Sequence, residues 1–254
     1  MTAFSNEKDE LKENRSKPRN FVTTQWSAVV RAADPSDPSA AASLETLCAN
    51  YWMPLYLYVR RRGYSNEDGQ DLTQGFFGHL IESNALEKAS RDKGRFRTFL
   101  LSSLNNFMAN DWHRQHALKR GGGQTTISID QELAEERFHN EPVTRESPDH
   151  YFDRHWAMTV MERAMKKVEA EMAVKGKGRQ FVLLREFLAV RAGQSAYEGP
   201  AKELQSTTAA VAMMVKRMRQ RYRDFIKAEV SETLSDVGDS DQEIQHLLAV
   251  VTSG

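Results

Sequence analysis

The chain has 254 residues, of which 35 are basic, 35 are acidic and one, Cys48, is a cysteine. A single cysteine excludes an internal disulfide framework and a cysteine-rich zinc site. No apolar run is long enough to span a bilayer, and the polar first twenty residues lack the apolar stretch of a secretory signal. We therefore expect a soluble protein of the cytoplasm, with no membrane as a partner.

The first 120 residues are predicted to form a polar tail followed by helices. Residues 1–20 are polar and of mixed charge, which is typical of a disordered segment. Apolar side chains then recur at helical spacing, and breaks are expected at Asp34–Pro38 and Gly63. Pro54 should kink or split the second helix, and Ser65 can cap the third. The predicted helices are 26–33, 39–62, 66–82 and 95–119.

The rest of the chain is predicted to begin with a linker and to continue as helices. Residues 121–155 are acidic and interrupted by glycine and proline, and only Thr125–Ile129 has strand character. The predicted helices that follow are 156–174, 179–191, 201–204, 208–229 and 242–251. The fold class is therefore predicted to be all-α, with two helical domains joined by a flexible acidic linker.

The zero net charge conceals a strong segregation of charge along the chain. Residues 86–120 contain 8 basic and 3 acidic residues, and residues 200–230 contain 7 and 3. By contrast, residues 130–153 contain 2 basic and 8 acidic residues, and residues 231–254 contain 5 acidic and no basic ones. Two interpretations are open: ordinary solvated helix faces, or two polyanion-binding surfaces whose acidic neighbours limit non-specific binding.

Sequence motifs of enzymes and metal sites are absent from the chain. There is no GxGxxG, Walker A or HExxH sequence. Cys48 lies at helical spacing among Leu44, Leu47 and Tyr51, which is typical of a buried core thiol. His113 and His116 have i, i+3 spacing, and we expect them to be solvated histidines rather than metal ligands. We predict no catalytic site, no metal, no cofactor and no enzymatic activity.

The predicted helix 66–82 has two distinct faces. A step of 100° per residue gives a broad apolar face formed by Leu72, Phe76, Phe77 and Leu80. The opposite side carries Asp71, Gln74, Gly75 and Gly78. Each glycine inside a helix costs up to about 1 kcal/mol relative to alanine. Two glycines on one side therefore indicate a docking face for a partner helix, unless they are a tolerated pair of weak helix formers.

The predicted helix 95–119 combines an apolar stripe with a polar, aromatic one. The apolar stripe consists of Phe96, Leu100, Leu104 and Phe107. The second stripe consists of Asn105, Trp112, His116 and Lys119. A tryptophan on a basic helix can stack on a base, which contributes about 1–3 kcal/mol. Alternatively, Trp112 packs at the edge of the core.

The last basic segment has the pattern of a helix-turn-helix. A short helix near 200–204 and the turn Gln205–Thr207 precede a longer basic helix. The buried face of the longer helix is predicted to contain Val211, Val215, Met218, Tyr222 and Phe225. A neighbouring face is basic and contains Lys216, Arg219, Arg223 and Lys227. An ordinary hairpin of two helices remains the alternative.

Six short motifs occur in order over residues 21–230. They are Thr23–Ser27 (TTQWS), Tyr51–Tyr56 (YWMPLY), Asp71–Phe77 (DLTQGFF), Gly94–Leu100 (GRFRTFL), Lys119–Gly123 (KRGGG) and Lys216–Tyr222 (KRMRQRY). This ordered set resembles a bacterial RNA polymerase sigma factor of the extracytoplasmic-function type, and most closely a group common in planctomycete-like bacteria.

The resemblance implies a non-catalytic subunit that gives core RNA polymerase its promoter specificity. Residues 21–120 would be sigma domain 2, and 156–230 would be sigma domain 4 with the helix-turn-helix. Residues 121–155 would link them, and 231–254 would form an acidic C-terminal extension. The implied partners are promoter DNA and core polymerase, through the β′ clamp helices and the β flap, with an anti-sigma factor as a further regulator.

The resemblance also assigns roles to individual residues. Those implied to bind polymerase are Asp71, Leu72, Gln74, Gly75 and Gly78. Those implied to bind the melted −10 element are Lys93, Arg95, Arg97, Asn105, Asn106, Trp112, His116, Lys119 and Arg120. Those implied to bind the −35 element are Thr207, Thr208, Ala212, Lys216, Arg217 and Arg219.

Three positions depart from the usual pattern of the family. Gly75 stands in place of Glu, and Gln205 stands in place of the glycine of the turn. Ala212, Met213 and Met214 occupy the start of the reading helix, where relatives often have basic or hydroxyl residues. Direct base reading by domain 4 is therefore left open, whereas phosphate contacts from its basic residues are expected.

Two other functions compete with the sigma-factor hypothesis. A free-standing helix-turn-helix regulator would bind duplex DNA without polymerase, but it would need neither the glycine-containing face nor the Trp112 stripe. An all-α interaction protein would bind no DNA at all, which binding to random DNA at low salt would test.

Overall fold

The computed structural model describes residues 25–90, 92, 94–115, 131–140, 146–188, 193–231, 233–234 and 240–252. Within these ranges the chain is all-helical, with ten α-helices and no strand, which confirms the predicted fold class. None of the helices in these ranges is long and apolar enough to cross a membrane. The predicted tail 1–20 and the segment Thr125–Ile129 lie outside the described residues, and the division into two domains stays a prediction.

The first four helices follow the predicted pattern closely. They are α1 (Gln25–Ala33), α2 (Ala40–Arg61), α3 (Asn66–Glu82) and α4 (Phe96–Gln115), with a short 3₁₀ helix at Ala85–Lys88. Ser65 caps α3 as predicted, because its Oγ accepts a hydrogen bond from the backbone N–H of Asp68 at 3.0 Å. Four apolar residues of α3 are buried as predicted: Leu72, Phe76, Phe77 and Leu80.

Pro54 is predicted to kink or split the second helix, and the split does not occur. Helix α2 runs without a break from Ala40 to Arg61, with Pro54 inside it. A proline in a helix removes one backbone hydrogen bond and costs about 3 kcal/mol or more. Burial of the residues that follow offsets this cost, since every residue from Leu55 to Val59 is completely buried.

The segment predicted as a linker contains helical structure. Helix α5 (Gln131–Asn140) lies within it, and α6 (Pro148–Val174) begins well before the predicted start at 156. Ser147 caps α6 by accepting from the N–H of His150 at 3.3 Å, and Pro148 occupies the first turn. Serine followed by proline is a common helix start, so the sequence carried a signal that the acidic composition obscured.

Helix α5 is attached to α2 by a partly buried ion pair. The Arg60 Nε lies 2.8 Å from Glu135 Oε1, and the Tyr56 hydroxyl donates to the same carboxylate. The Arg60 guanidinium also stacks on the Phe138 ring at 4.4 Å. At least this part of the predicted linker is therefore packed against the first helices.

The remaining helices are α7 (Gly178–Leu184), α8 (Glu198–Glu203), α9 (Thr208–Ser231) and α10 (Ser240–Thr252). Helix α7 is followed by a 3₁₀ helix at Arg185–Leu188, so it is shorter than the predicted helix 179–191. The predicted last helix, 242–251, is confirmed with slightly wider bounds.

Two apolar clusters form the core, and α6 contributes to both. The first surrounds α2 and includes Trp156 and Val160 from the N-terminal half of α6, together with Leu247 of α10. The second surrounds α9 and includes Ala164 and Val168 from the C-terminal half of α6. Helix α6 therefore passes from one cluster directly into the other.

Cys48 is a buried thiol of the first cluster, as predicted. Burial raises the pKa of this thiol to about 11, because the charged thiolate is disfavoured away from water. We expect no reaction with a thiol-specific chromogenic reagent at pH 8 in the native state and one equivalent in denaturant. Rapid reaction of the native protein would contradict the burial.

Candidate functional site

The residues of α3 proposed to bind polymerase differ in their exposure. Asp71 and Gly75 are exposed, whereas Gln74 and Gly78 are half-buried and Leu72 belongs to the core. A Cβ atom added at Gly78 would meet no heavy atom within 4 Å beyond its own helix backbone, and one at Gly75 would touch the Phe107 ring at 3.5 Å. Both positions can therefore take a side chain without displacing the core.

A third glycine of α3, which the sequence analysis did not single out, does mark a close approach. A Cβ atom at Gly69 would lie 3.0 Å from Arg60 Cδ and 3.2 Å from a Tyr56 ring carbon. Gly69 is buried against α2. The packing of α3 on α2 therefore requires a glycine at position 69. At Gly78, no described residue approaches closely enough to require one.

The candidates for binding the −10 element are only partly exposed. On α4, Asn106 is exposed, but Asn105 is half-buried. The Asn105 Oδ1 accepts hydrogen bonds from the Tyr58 hydroxyl at 2.9 Å and from Arg62 at 3.3 Å. Asn105 thus links α4 to the end of α2. Lys93, His116, Lys119, Arg120 and the side chain of Trp112 lie outside the described residues.

Two arginines at the start of α4 enter an ion cluster instead of facing solvent alone. The Arg97 side chain is only 2% exposed; its Nε lies 2.9 Å from Asp153 Oδ1 and its Nη1 lies 2.5 Å from Glu243 Oε1. Its guanidinium also stacks on the Trp156 ring, with Cζ 4.6 Å from the ring centroid. Arg95 is 43% exposed and reaches the other oxygen of Glu243 at 2.6 Å. In this arrangement Arg97 is not accessible to DNA.

The apolar stripe of α4 differs from the prediction by one residue. Phe96, Leu100 and Leu104 are buried as predicted, but the stripe continues through Met108, which is 4% exposed. Phe107 is only partly buried. It packs against α3, where its ring centroid lies 5.9 Å from that of Phe76. Steps of four residues from Phe96 lead to Leu100, Leu104 and Met108, so this spacing indicates Met108 as the next buried residue.

Helices α8 and α9 form the predicted helix, tight turn and longer helix. The turn closes α8 through two backbone bonds, from the Ser206 N–H to Ala201 O at 2.9 Å and from the Gln205 N–H to Lys202 O at 3.2 Å. This pair of bonds is a Schellman motif, in which Gln205 takes a positive φ of 50°. The Thr207 hydroxyl then caps α9 by accepting from the Ala210 N–H at 3.1 Å.

Gln205 should be a strained residue, because side-chain-bearing L-residues rarely adopt positive φ. The same motif ends α6, where Gly176 has a φ of 69°. We expect Gln205→Gly to raise the free energy of unfolding by about 0.5–1 kcal/mol, and Gly176→Ala to lower it by about 1 kcal/mol. Chemical denaturation of the two variants checks both signs, and a destabilised Gln205→Gly protein would contradict this account.

The candidates for binding the −35 element divide into exposed and packed residues. Lys216, Arg217 and Thr207 are exposed, and Thr208 is half-buried. Ala212 packs against the second cluster, so it does not lie on the open side of α9. Arg219 is half-buried and donates from Nε to the Phe187 carbonyl at 2.8 Å. The predicted buried face is confirmed, with Val211, Val215, Met218 and Tyr222 buried and Phe225 partly so.

The open side of α9 includes a residue that the sequence analysis did not choose. Met213 is 49% exposed and lies one turn before Lys216 and Arg217. Among the described residues, no carboxylate lies within 4 Å of Lys216, Arg217 or Arg223, whereas Arg221 pairs with Glu171 at 2.5 Å. Met213 lies three residues before Lys216 and four before Arg217, so the face shared by both basic residues indicates Met213 rather than Ala212.

Other kinds of site find little support in the described ranges. No group of three or more His, Cys, Asp or Glu side chains there could hold a metal ion. An apolar pocket lies between α1, α2 and α3 and is lined mainly by alanine and leucine, with no ionisable side chain.

Comparisons with models of protein families, with curated proteins and with solved structures find no match to this chain.

Proposed function

We propose that this protein is a sigma factor that binds core RNA polymerase and directs promoter recognition and melting. Residues 21–120 act as domain 2 and residues 156–230 act as domain 4, in the cytoplasm. The β′ clamp helices bind α3, and the β flap contacts the second domain. No reaction is catalysed by the chain itself.

The proposal is supported by two separate open surfaces on one all-helical chain. The α3 face has Gly78 open to solvent, and α9 presents Lys216 and Arg217 after a tight turn. A duplex-binding regulator needs only the second surface. Among the described residues nothing lies within 4 Å of a Cβ atom placed at Gly78 beyond its own helix backbone, so a protein partner is the simplest reason for a glycine there.

One observation favours the alternative function, a free-standing helix-turn-helix regulator. Arg97, a predicted contact to the −10 element, is buried in an ion cluster. A protein that binds duplex DNA through α9 alone would not need Arg97 at its surface. The two functions differ in whether polymerase is a partner.

The decisive experiment mixes the full chain with core RNA polymerase from the same bacterium. The sigma-factor proposal predicts co-elution in size-exclusion chromatography, and transcripts from genomic fragments that core polymerase alone does not start. Binding to duplex DNA without co-elution would favour the free-standing regulator. If the protein neither co-elutes with polymerase nor binds duplex DNA, the all-α interaction protein becomes the better hypothesis.

The open side of α9 can be tested by the salt dependence of binding to duplex DNA. Each phosphate contact contributes about −0.9 to the slope of log affinity against log salt. Replacing Lys216 and Arg217 together by alanine should therefore make the slope less negative by about 1.8. Arg137→Ala serves as a control, because Arg137 lies on α5 and pairs with Glu162. An unchanged slope in the double variant would remove these residues from the interface.

A further inference from the structure

Helix α10 contacts two arginines at the start of α4: Arg95, which precedes the helix, and Arg97, which lies in its first turn. Its Glu243 side chain is completely buried and lies 2.6 Å from Arg95 Nη2 and 2.5 Å from Arg97 Nη1. One carboxylate thus joins two guanidinium groups, using a different oxygen for each. A phosphate group of a nucleic acid is recognised by arginine in the same way.

The apolar face of α10 packs on the first cluster. Leu247 belongs to this cluster, Ile244 and Val251 pack against it while partly buried, and Val250 is also buried. At the surface, Asp241 pairs with Lys227 of α9 at 2.7 Å, and His246 approaches Asp153 of α6 at 3.7 Å. Such exposed pairs contribute little to stability. Docking of α10 therefore depends on its apolar face and on the buried Glu243 carboxylate.

Charge complementarity between the two segments is strong. The segment 231–254 contains five acidic and no basic residues, and the segment 86–120 contains eight basic and three acidic ones. Helix α10, which is part of the acidic segment, contacts the start of the basic segment through Glu243. A buried ion pair is costly to desolvate, so this contact is not explained by stability alone.

We propose that α10 and a nucleic-acid strand compete for Arg95 and Arg97, with Glu243 in the position of a phosphate. The proposal rests on the proposed function, in which these arginines bind melted DNA. In the docked state Glu243 pairs with both guanidinium groups. When α10 leaves, Arg95 and the Nη1 side of Arg97 can bind the strand, while Arg97 Nε stays paired with Asp153 of α6. The apparent affinity is then reduced by the fraction of molecules in which α10 is docked.

Adjacent leucines of α10 offer a matched pair of variants. Leu247 is 5% exposed, whereas Leu248 is 46% exposed. Leu247→Ala should loosen α10, and Leu248→Ala should leave it docked. Glu243→Gln is a second way to weaken docking that keeps the shape of the side chain. It serves in case Leu247→Ala lowers the stability of the whole chain.

The first measurement needs neither DNA nor polymerase. Phenylglyoxal modifies accessible arginines, and mass spectrometry locates the modified residues. Arg97 should react slowly in the wild type and in Leu248→Ala, and at least about 10-fold faster in Leu247→Ala and Glu243→Gln. Arg217, exposed on α9, should react equally in all four proteins. Continued protection of Arg97 in both loosened variants would overturn the proposal.

The second measurement uses a labelled single-stranded 20-mer of mixed sequence, and again no polymerase. Leu247→Ala and Glu243→Gln should bind it at least about 10-fold more tightly than the wild type and Leu248→Ala, if the docked state dominates. Adding Arg95→Ala to Leu247→Ala should remove most of the gain. Equal affinity of all variants for the 20-mer would show that α10 does not compete with nucleic acid and has a structural role only. Since co-elution with polymerase is a separate measurement, failure here is distinct from failure of the proposed function.

Discussion

Gly78→Trp should abolish co-elution with core RNA polymerase while the protein stays folded. The open space around Gly78 can accept the new side chain, and the apolar residues of α3 lie on its other face. A bulky side chain would, however, prevent another helix from approaching the backbone of α3. Size-exclusion chromatography with core polymerase measures binding, and circular dichroism with thermal melting measures folding.

A series of side chains at Gly78 makes this result specific. Gly78→Ala should stabilise α3 by up to about 1 kcal/mol, and binding should fall progressively through Leu to Trp. Gly178→Trp is the matched control, because Gly178 begins α7 and is equally open. Gly75→Glu should bind at least as well as the wild type, since it introduces the usual residue of the resembled family. A folded Gly78→Trp protein with normal binding would exclude this face from the interface.

Arg97→Met should lower the free energy of unfolding by about 3–5 kcal/mol, because it leaves the buried Glu243 carboxylate without one of its two arginines. Loss of the stacking on Trp156 adds to the effect. Chemical denaturation of the variant without any DNA measures this cost. Replacing a solvent-exposed arginine whose only role is to bind DNA would cause no such loss of stability.

Two further variants identify the cause. The double variant Arg97→Met with Glu243→Met should recover most of the lost stability, because it removes both charges from the interior. Arg137→Met should cost at most about 1 kcal/mol, since its partner Glu162 is 47% exposed and stays solvated without the pair. If Arg97→Met were as mild as Arg137→Met, the ion cluster would not hold α10 and α6 to α4.

The helices that could be predicted are those in which local signals agree. In α3, the serine cap, the apolar spacing and the bounds 66–82 all match the structure. In α2, a local rule failed, because burial around Pro54 outweighed the cost of the proline. In the predicted linker, acidic composition was given more weight than the Ser147–Pro148 start signal of α6.

The candidate site was predictable only where residues lie on one helix. The open face of α3 and the buried face of α9 follow from helical periodicity. The partners of Arg97 do not, because Asp153 and Glu243 lie on two other helices that are distant in the sequence. Arginine, aspartate and glutamate are usually exposed, so nothing in the sequence distinguishes these three from solvated charges.

The continuity of α6 through both apolar clusters makes the two halves of the chain cooperative. Trp156 and Val160 complete one core, and Ala164 and Val168 complete the other, so neither half can lose α6 without exposing apolar surface. We therefore expect a single unfolding transition rather than two. A chain divided at residue 155 would deprive the first core of Trp156, and the two pieces would have to associate to regain it.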